Sequence, residues 1–533
     1  MKSSVFVNGT YAGGHIYGYT PFEVDITALV HEGENEILVR VDNSMQPGSR
    51  WYSGSGITRD VWLEKRHPIH IARYGMYLTT DEGILNISTT LHTSECMTTD
   101  DSLSLNFVLK DNDGAEIAKK NIELKNDWTE ADLDAAILSG MDEDVPKTLC
   151  QLQTSLSIQV ENPVLWDHET PYLYELTTIL KKNDTVIDER TDKVGFRNIK
   201  FDAKKGFLIN GKHVKLNGVC LHHDGGCVGA AVPPEIWRRR LEKLKDMGVN
   251  SVRCSHNPPD EALLDLCDEL GFYVMDEADL ESHGCTTLYG SKSEHVDMGE
   301  VQYEESYGYL MRDPSYENAV VDRIQHLVHR DKNCSSVFSW SMGNESAYGP
   351  NLEKAAAWIK SYDPDRVLNY ENSIWQQTNT DYVNDVHDLD VFSRMYAPVE
   401  FIDEFCSKEG KKPFIEVEYC HAMGNGPGDL EAYFERLYKY PGYIGGFVWE
   451  WCDHSVYMGK TIEGKDKFFY GGDWNEEIHD GNFCMDGLVY PDRTPHTGLL
   501  EHKNVARPIR ATLLDTSKGL VELDNKLDYA NIK

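Results

Sequence analysis

The chain has 533 residues, 40% hydrophobic and 26% charged, an ordinary globular composition long enough for several domains. Its 88 acidic against 52 basic side chains leave a formal net charge of −36, which repels phosphate backbones and anionic lipid and argues against nucleic-acid and membrane partners. A neutral ligand such as a sugar is compatible with that surface. Twelve cysteines, with no C-x-x-C pair and most inside apolar runs (Cys254, Cys267, Cys452), read as reduced core residues rather than a disulfide framework. No stretch approaches the ~20 apolar residues of a membrane span, and the segment Met1 to Gly9 is too short an apolar run for a signal peptide. A cytoplasmic location is the expectation.

The first ~65 residues alternate β-type runs with turns. Val5-Phe6-Val7 leads into an Asn8-Gly9 turn, and Glu36 to Val41 alternates polar with apolar. Four or five strands are legible where a sandwich needs about seven or eight. Residues 1–66 are therefore expected to be a partial β-sandwich with an upstream portion missing. Residues 67–200 form a second all-β stretch, with alternating runs at Ser155–Val160 and Leu173–Leu180, and fit one immunoglobulin-like β-sandwich. The acidic segment Asp127–Asp144 reads as an exposed insertion.

From about Phe201 the pattern becomes strand–helix alternation. After a hairpin at Asn210-Gly211, strands are predicted at Lys215–Val219, Asn250–Cys254, Phe272–Asp276, Ser336–Trp340, Val367–Tyr370, Asp390–Arg394, Pro413–Glu418 and Tyr443–Trp449. Pro233-Pro234 opens a helix whose Trp237, Leu241, Leu244 and Met247 make one apolar stripe, and Gly248 closes it. Leu263, Cys267 and Leu270, closed by Gly271, repeat the device. Eight such units over residues 201–506 predict a (β/α)8 TIM barrel. Residues 507–533 are too few for a domain and read as the start of a further β module.

Two glutamates follow apolar strand runs in distinctive contexts, Gly343-Asn344-Glu345 after the fourth barrel strand and Glu416-Val417-Glu418-Tyr419 at the end of the seventh. Chemistry in these barrels sits at the C-terminal strand ends. A pair of carboxyl groups delivered there suits glycosidic-bond cleavage, in which one holds a proton for the departing oxygen and the other attacks the anomeric carbon. Glu416 competes with Glu418 for the second role, and Glu418 is preferred. Taken singly, each glutamate would be an ordinary strand-end carboxylate.

The motifs along the whole chain resemble those of glycoside hydrolase family 2, and within it the β-galactosidases. The resemblance is carried by Asp42-Asn43-Ser44, Ser49 to Ile57 and Arg59 to Leu63; by Asn162-Pro163, Leu165-Trp166 and Pro171 to Tyr174; and by Val252 to His256, Asp276-Glu277-Ala278, Glu281 to Gly284, Ser341 to Ser346, Glu418 to Asn425, Phe483-Cys484-Met485 and Asp492 to His496. It implies a jelly-roll sugar-binding first domain, here partial, and missing C-terminal domains. It also implies retaining cleavage of terminal β-D-galactosides through a covalent glycosyl-enzyme, with Glu345 as acid/base and Glu418 as nucleophile.

The same resemblance implies that Asn344 contacts the sugar 2-hydroxyl and that His222, His256 and His421 line the sugar subsite. Tyr396 would touch the nucleophile, Trp449 would lie under the apolar face of the ring, and Asp60 would reach the 6-hydroxyl. Glu281, His283 and Glu345 are similar to a Mg²⁺ site. Asp60 and Phe483 are similar to a Na⁺ or other monovalent-cation site, where Asp486 replaces the family's asparagine. Arg253 reads as a buried partner of the carboxylates, His223 as structural and Trp451 as core. Related β-glucuronidases carry an Asn-x-Lys element where this chain has Met485 to Tyr490 with no lysine, and β-mannosidases generally lack the run His421 to Asn425. A galactoside is the leading substrate. A β-glucuronidase or a non-hydrolytic carbohydrate-binding fragment is the alternative, and a homo-oligomer remains open.

Overall fold

The computed structural model describes residues 2–45, 54–93, 102–130, 150–282, 308–374, 382–408, 410, 412–477, 479 and 481–531. At the N-terminus, Lys2–Val7 and Thr10–His15 form a hairpin, and Ile37–Asp42 pairs on the other side of the first strand. The hairpin turns where Asn8 (φ 50°) and Gly9 (φ 79°) both take the left-handed conformation that a two-residue turn between twisted strands requires. Three strands form among the described residues of this region, fewer than the four or five expected. Residues 16–36 and 54–66 make turns and extended chain instead, packing against the barrel through side chains. Tyr17 Oη donates to the Asp279 carbonyl at 3.1 Å, and Arg59 donates to the Pro258 carbonyl at 2.7 Å.

The next unit is a two-sheet sandwich. One sheet contains Ile69–Asp81, Ile84–Thr93, Cys150–Gln159 and the short Thr129–Glu130; the other contains Leu103–Lys110, Glu116–Leu124, Tyr174–Lys182 and Thr185–Val194. Strict alternation along Leu103–Lys110 turns Leu103, Leu105, Phe107 and Leu109 inward against Ile87, Leu176 and Leu180. Most of the predicted acidic insertion lies outside the described residues. The sandwich is tied to the barrel by Tyr77 Oη on Asp363 at 3.0 Å and by Arg197 on the Val337 carbonyl at 2.8 Å.

The barrel strands are β1 Leu216–Leu221, β2 Ser251–Cys254, β3 Tyr273–Glu277, β4 Val337–Ser341, β5 Val367–Asn369, β6 Phe392–Met395, β7 Phe414–Tyr419 and β8 Tyr443–Val448. All eight pair in parallel, in the order β5-β4-β3-β2-β1-β8-β7-β6. The last gap, between β5 and β6, is closed by one residue. Asp390 donates its N–H to the Leu368 carbonyl at 3.0 Å and accepts the Leu368 N–H on its carboxylate at 2.7 Å.

Cys220, Met275, Phe338, Ile415, Val417 and Phe447 fill the barrel interior, and a second core lies between the strands and the surrounding helices. Those helices include α1 Pro234–Asp246, α2 Glu261–Leu270, α3 Glu317–Asp331, α4 Pro350–Tyr362, α5 Val399–Ser407, α6 Leu430–Lys439 and α7 Thr497–Val505. In α2, Asp260 caps the start by accepting the Ala262 N–H, and Gly271 at φ 74° ends it. Residues 509–525 form a two-stranded hairpin. Among the described residues, the cysteines are unpaired and no helix is long and apolar enough to cross a membrane.

Candidate active site at the barrel mouth

The C-terminal ends of β2, β3, β4 and β7 converge on Arg253, which is fully buried in β2. Its guanidinium uses its donors in several directions at once. Nε and Nη2 grip the two oxygens of Glu277, the last residue of β3, at 2.8 and 3.0 Å. Nη2 also donates to Asn344 Oδ1 at 3.0 Å, and Nη1 donates to Glu418 Oε1 at 2.8 Å. A planar fork that serves two carboxylates and an amide is a job for arginine and not for lysine. Burial pushes the Glu277 carboxyl up, against the pull of Arg253 and the Ser341 hydroxyl, which donates to it at 2.7 Å.

Glu418 also accepts the Tyr396 hydroxyl on Oε2 at 2.9 Å, so both of its oxygens are held. Tyr396 itself stands at φ 53°, and its N–H donates to the Glu418 carbonyl at 2.8 Å. The rivalry between Glu416 and Glu418 is resolved by an irregularity in β7. In a regular strand residues two apart share a face, but the register of β7 shifts against both neighbours across this stretch. Such a bulge re-aims side chains. Glu418 joins Arg253, while Glu416 is fully buried beside Gly446 and Ala397, where burial drives its carboxyl well up.

Asn344 and Glu345 follow β4 through Gly343. A Cβ at Gly343 would sit 2.6 Å from both the Leu280 carbonyl and its Cβ, and the residue's φ of 134° is glycine territory. That close approach lets Asn344 N–H donate to the Leu280 carbonyl at 2.7 Å, while its side-chain amide donates to Glu281 at 2.6 Å. Glu345 is half-buried at φ 30°. Asn344 thus links Glu281, Arg253 and, through the arginine, Glu418.

The aromatic wall lies beyond β8. Trp449 stacks on His256, with ring centres 5.3 Å apart and planes 8° from parallel, and His222 meets both rings edge-on. His256 Nδ1 donates to Glu277 at 2.7 Å, which fixes the tautomer, and Nε2 lies 3.9 Å from Glu418. His421 is partly exposed, its ring near Tyr396, Trp449 and Phe483. Trp449 Nε1 donates to Asp486 at 2.8 Å. Trp451 is buried, and His223 is bonded to Asn257 at 3.2 Å beneath Tyr19.

Several expected residues are not gathered here. Asp60 is exposed on its loop and makes none of these hydrogen bonds, although its neighbour Arg59 anchors that loop beside the site. His283 lies outside the described residues. Phe483 is 55% exposed, and its ring centre lies 6.1 Å from that of His421.

Two buried networks were legible in the sequence only in part or not at all. Glu277 was legible only as part of Asp276-Glu277-Ala278, and nothing local marks it as the second carboxylate of Arg253. Beside His222, whose ring it meets edge-on at 5.3 Å, His454 bridges Asp224 and Glu450 at 2.8 Å each. Burial pulls His454 down, but those two carboxylates more than offset it and hold the ring well above its ordinary value.

The donor sets admit cations. Glu281 meets Asn344 in an isolated bridge just beyond the ends of β3 and β4 and accepts the Asn344 side-chain amide at 2.6 Å, and a carboxylate is the hard-oxygen ligand that Mg²⁺ prefers. Asp486 is buried beside Glu450, whose carboxyl burial and the Asp486 charge hold well up, so two carboxyl groups face one another there.

Residues 201–511 match the TIM barrel domain of glycosyl hydrolases family 2, and residues 69–197 match a second glycosyl hydrolases family 2 domain. A β-galactosidase of Actinobacillus pleuropneumoniae is 35% identical over 99% of this chain and 49% of its own length. The chain therefore spans about half the length of the curated relatives it matches. The crystal structure of a glycosyl hydrolase family 2 member from Bacteroides cellulosilyticus superposes with a TM-score of 0.70 at 25% identity, covering 97% of this chain and 61% of that one. A Bacteroides uniformis β-glucuronidase shares the fold, with a TM-score of 0.66 at 22% identity over 96% of this chain and 61% of its own. The barrel, its flanking sandwich and these likenesses over nearly all of the sequence place the chain in glycosyl hydrolase family 2.

Proposed function

We propose that the chain carries the catalytic barrel of a retaining β-galactosidase. The observation that supports this best is the dual grip on Glu418, with Arg253 at 2.8 Å on one oxygen and Tyr396 at 2.9 Å on the other. A nucleophilic carboxylate must be ionised and aimed, and a fixed cation with an oriented hydroxyl meets both needs. Glu418 attacks the anomeric carbon while Glu345, carried beyond the end of β4 on the same rim of the barrel, protonates the departing oxygen and later activates water. Asn344, held by Arg253, offers its amide edge to the 2-hydroxyl. Trp449 supplies a flat apolar surface for the ring, braced by His256. Mg²⁺ held by Glu281, Glu345 and His283 would supply a positive charge that sets the proton affinity of Glu345, and a monovalent cation would be held at Asp486.

A galactoside is favoured over a glucuronide by Asp486, a buried carboxylate at the indole N–H edge of Trp449 that would repel the carboxylate of a uronic acid and accept from a hydroxyl. The test is hydrolysis of an aryl β-galactoside and an aryl β-glucuronide by the chain and by Glu418→Gln, with the anomeric product followed by proton NMR. Retention with galactoside turnover lost in Glu418→Gln supports the reading. Inversion, or a preference for glucuronide, removes it. Sugar binding without turnover in either protein would favour a binding fragment.

A further inference from the structure

Away from the barrel mouth, we propose that His15, Asp322 and His326 form a Zn²⁺ site that clips the N-terminal sheet to the barrel. His15 ends the second strand of that sheet, and Asp322 and His326 stand one turn apart on α3. One ligand atom from each lies within 4.8 Å of the other two. His326 Nε2 and Asp322 Oδ1 are 3.5 Å apart. Two ligands about 2.0–2.1 Å from a tetrahedral zinc are separated by about 3.4 Å, so the helix already presents this pair at close to metal-binding spacing.

His15 is oriented from behind. Its Nδ1 lies 2.9 Å from the Tyr17 carbonyl, which makes Nδ1–H the donor and leaves Nε2 as the lone-pair nitrogen. A backbone carbonyl on the far nitrogen is how metal-binding imidazoles are commonly held. Phe22 stacks on the same ring at 5.5 Å, and His326 meets it edge-on at 6.1 Å. Both histidines are nearly fully buried, while Asp322 is half-buried.

The arginines near the two rings are each matched by a carboxylate: Arg323 by Asp279, Arg73 by Glu23 at 2.9 Å and Arg330 by Asp331 at 2.6 Å. Two imidazoles with one carboxylate suit Zn²⁺ rather than Mg²⁺ or Ca²⁺, whose preferred ligands are oxygens. Three protein ligands leave one position for water. This proposal does not rest on the activity proposed above.

The test uses the full chain, stripped with chelator and titrated with Co²⁺ and then Zn²⁺. The expected result is one Co²⁺ per chain with visible d–d absorption, displaced by one equivalent of Zn²⁺ and not by excess Mg²⁺, and a higher thermal midpoint with Zn²⁺ than with chelator. His15→Gln and His326→Gln should each weaken Co²⁺ binding by about 100-fold or more, and His168→Gln, in a separate His-carboxylate cluster, should leave it unchanged. Should His326→Gln fail to fold, His15→Gln and Asp322→Asn carry the test. A chain without the Co²⁺ band, a thermal midpoint indifferent to Zn²⁺, or a band that survives in His15→Gln would each overturn the site and leave the trio as neutral packing.

Discussion

Arg253 and Glu418, 165 positions apart in sequence, meet at 2.8 Å in the floor of the barrel mouth. The same guanidinium closes on Glu277 and Asn344, so the candidate nucleophile, its sugar-binding neighbour and a buried acid share one cation.

Arg253→Met would leave Glu277, with no exposed surface, facing no cation. Breaking a buried pair in this way costs about 3–5 kcal/mol, to be read as a lower urea midpoint. Arg253→Lys keeps the charge and loses the fork. It should fold, with turnover of an aryl galactoside reduced on the order of 100-fold through misplacement of Glu418 and Asn344.

Tyr396→Phe removes one of the two donors on Glu418. Enclosure at the barrel mouth and the Glu418 carboxylate beside it push the Tyr396 hydroxyl far up, so it remains a donor over the whole assay range. Loss of a preorganised donor of this kind lowers kcat by about 10²–10³-fold. The residue is 42% exposed, so the thermal midpoint should stay near wild type. An unchanged kcat would remove Tyr396 from the mechanism.

Gly343→Ala forces a methyl to 2.6 Å from the Leu280 carbonyl at a φ of 134°. The strain is on the order of 1–3 kcal/mol and falls on the segment that carries Asn344 and Glu345. Loss of kcat exceeding the loss of stability is the expected pattern in paired kinetic and denaturation measurements.

His502 on α7 is fully buried against Phe434, and burial pulls it down to about 4. Between the unfolded value near 6.5 and about 4, the unfolded chain binds a proton that the folded chain does not. Stability therefore falls as pH drops through that window, by up to about 1.4 kcal/mol per pH unit, and is at its full value above it. His502→Phe should flatten this part of the profile in urea melts at pH 7, 6 and 5. An unchanged slope would show that the ring is not kept neutral.

The barrel was legible because each of its strands is a short apolar run between a helix end and the next rim, and such runs are local properties. Predicted strands such as Asn250–Cys254 and Pro413–Glu418 appear as Ser251–Cys254 and Phe414–Tyr419. The N-terminal region was less legible, because residues 16–36 are organised by contacts with the barrel, such as Tyr17 on Asp279, and not by their own alternation. Motif resemblance nominated Glu345, Glu418 and their neighbours, but it offered no reason why Glu418 rather than Glu416 should face the mouth.

By itself, then, the sequence determined the periodicities, the order of the elements and which carboxylates stand at strand ends, since these depend on neighbours a few positions away. The tertiary structure alone decided that β7 bulges between Glu416 and Tyr419, that Arg253 serves Glu277 and Glu418 together, and that His15 comes to rest against α3. Each of those outcomes depends on groups 24 to more than 300 positions apart meeting in a medium with little water, where a charge or an imidazole takes its character from whatever the fold sets beside it.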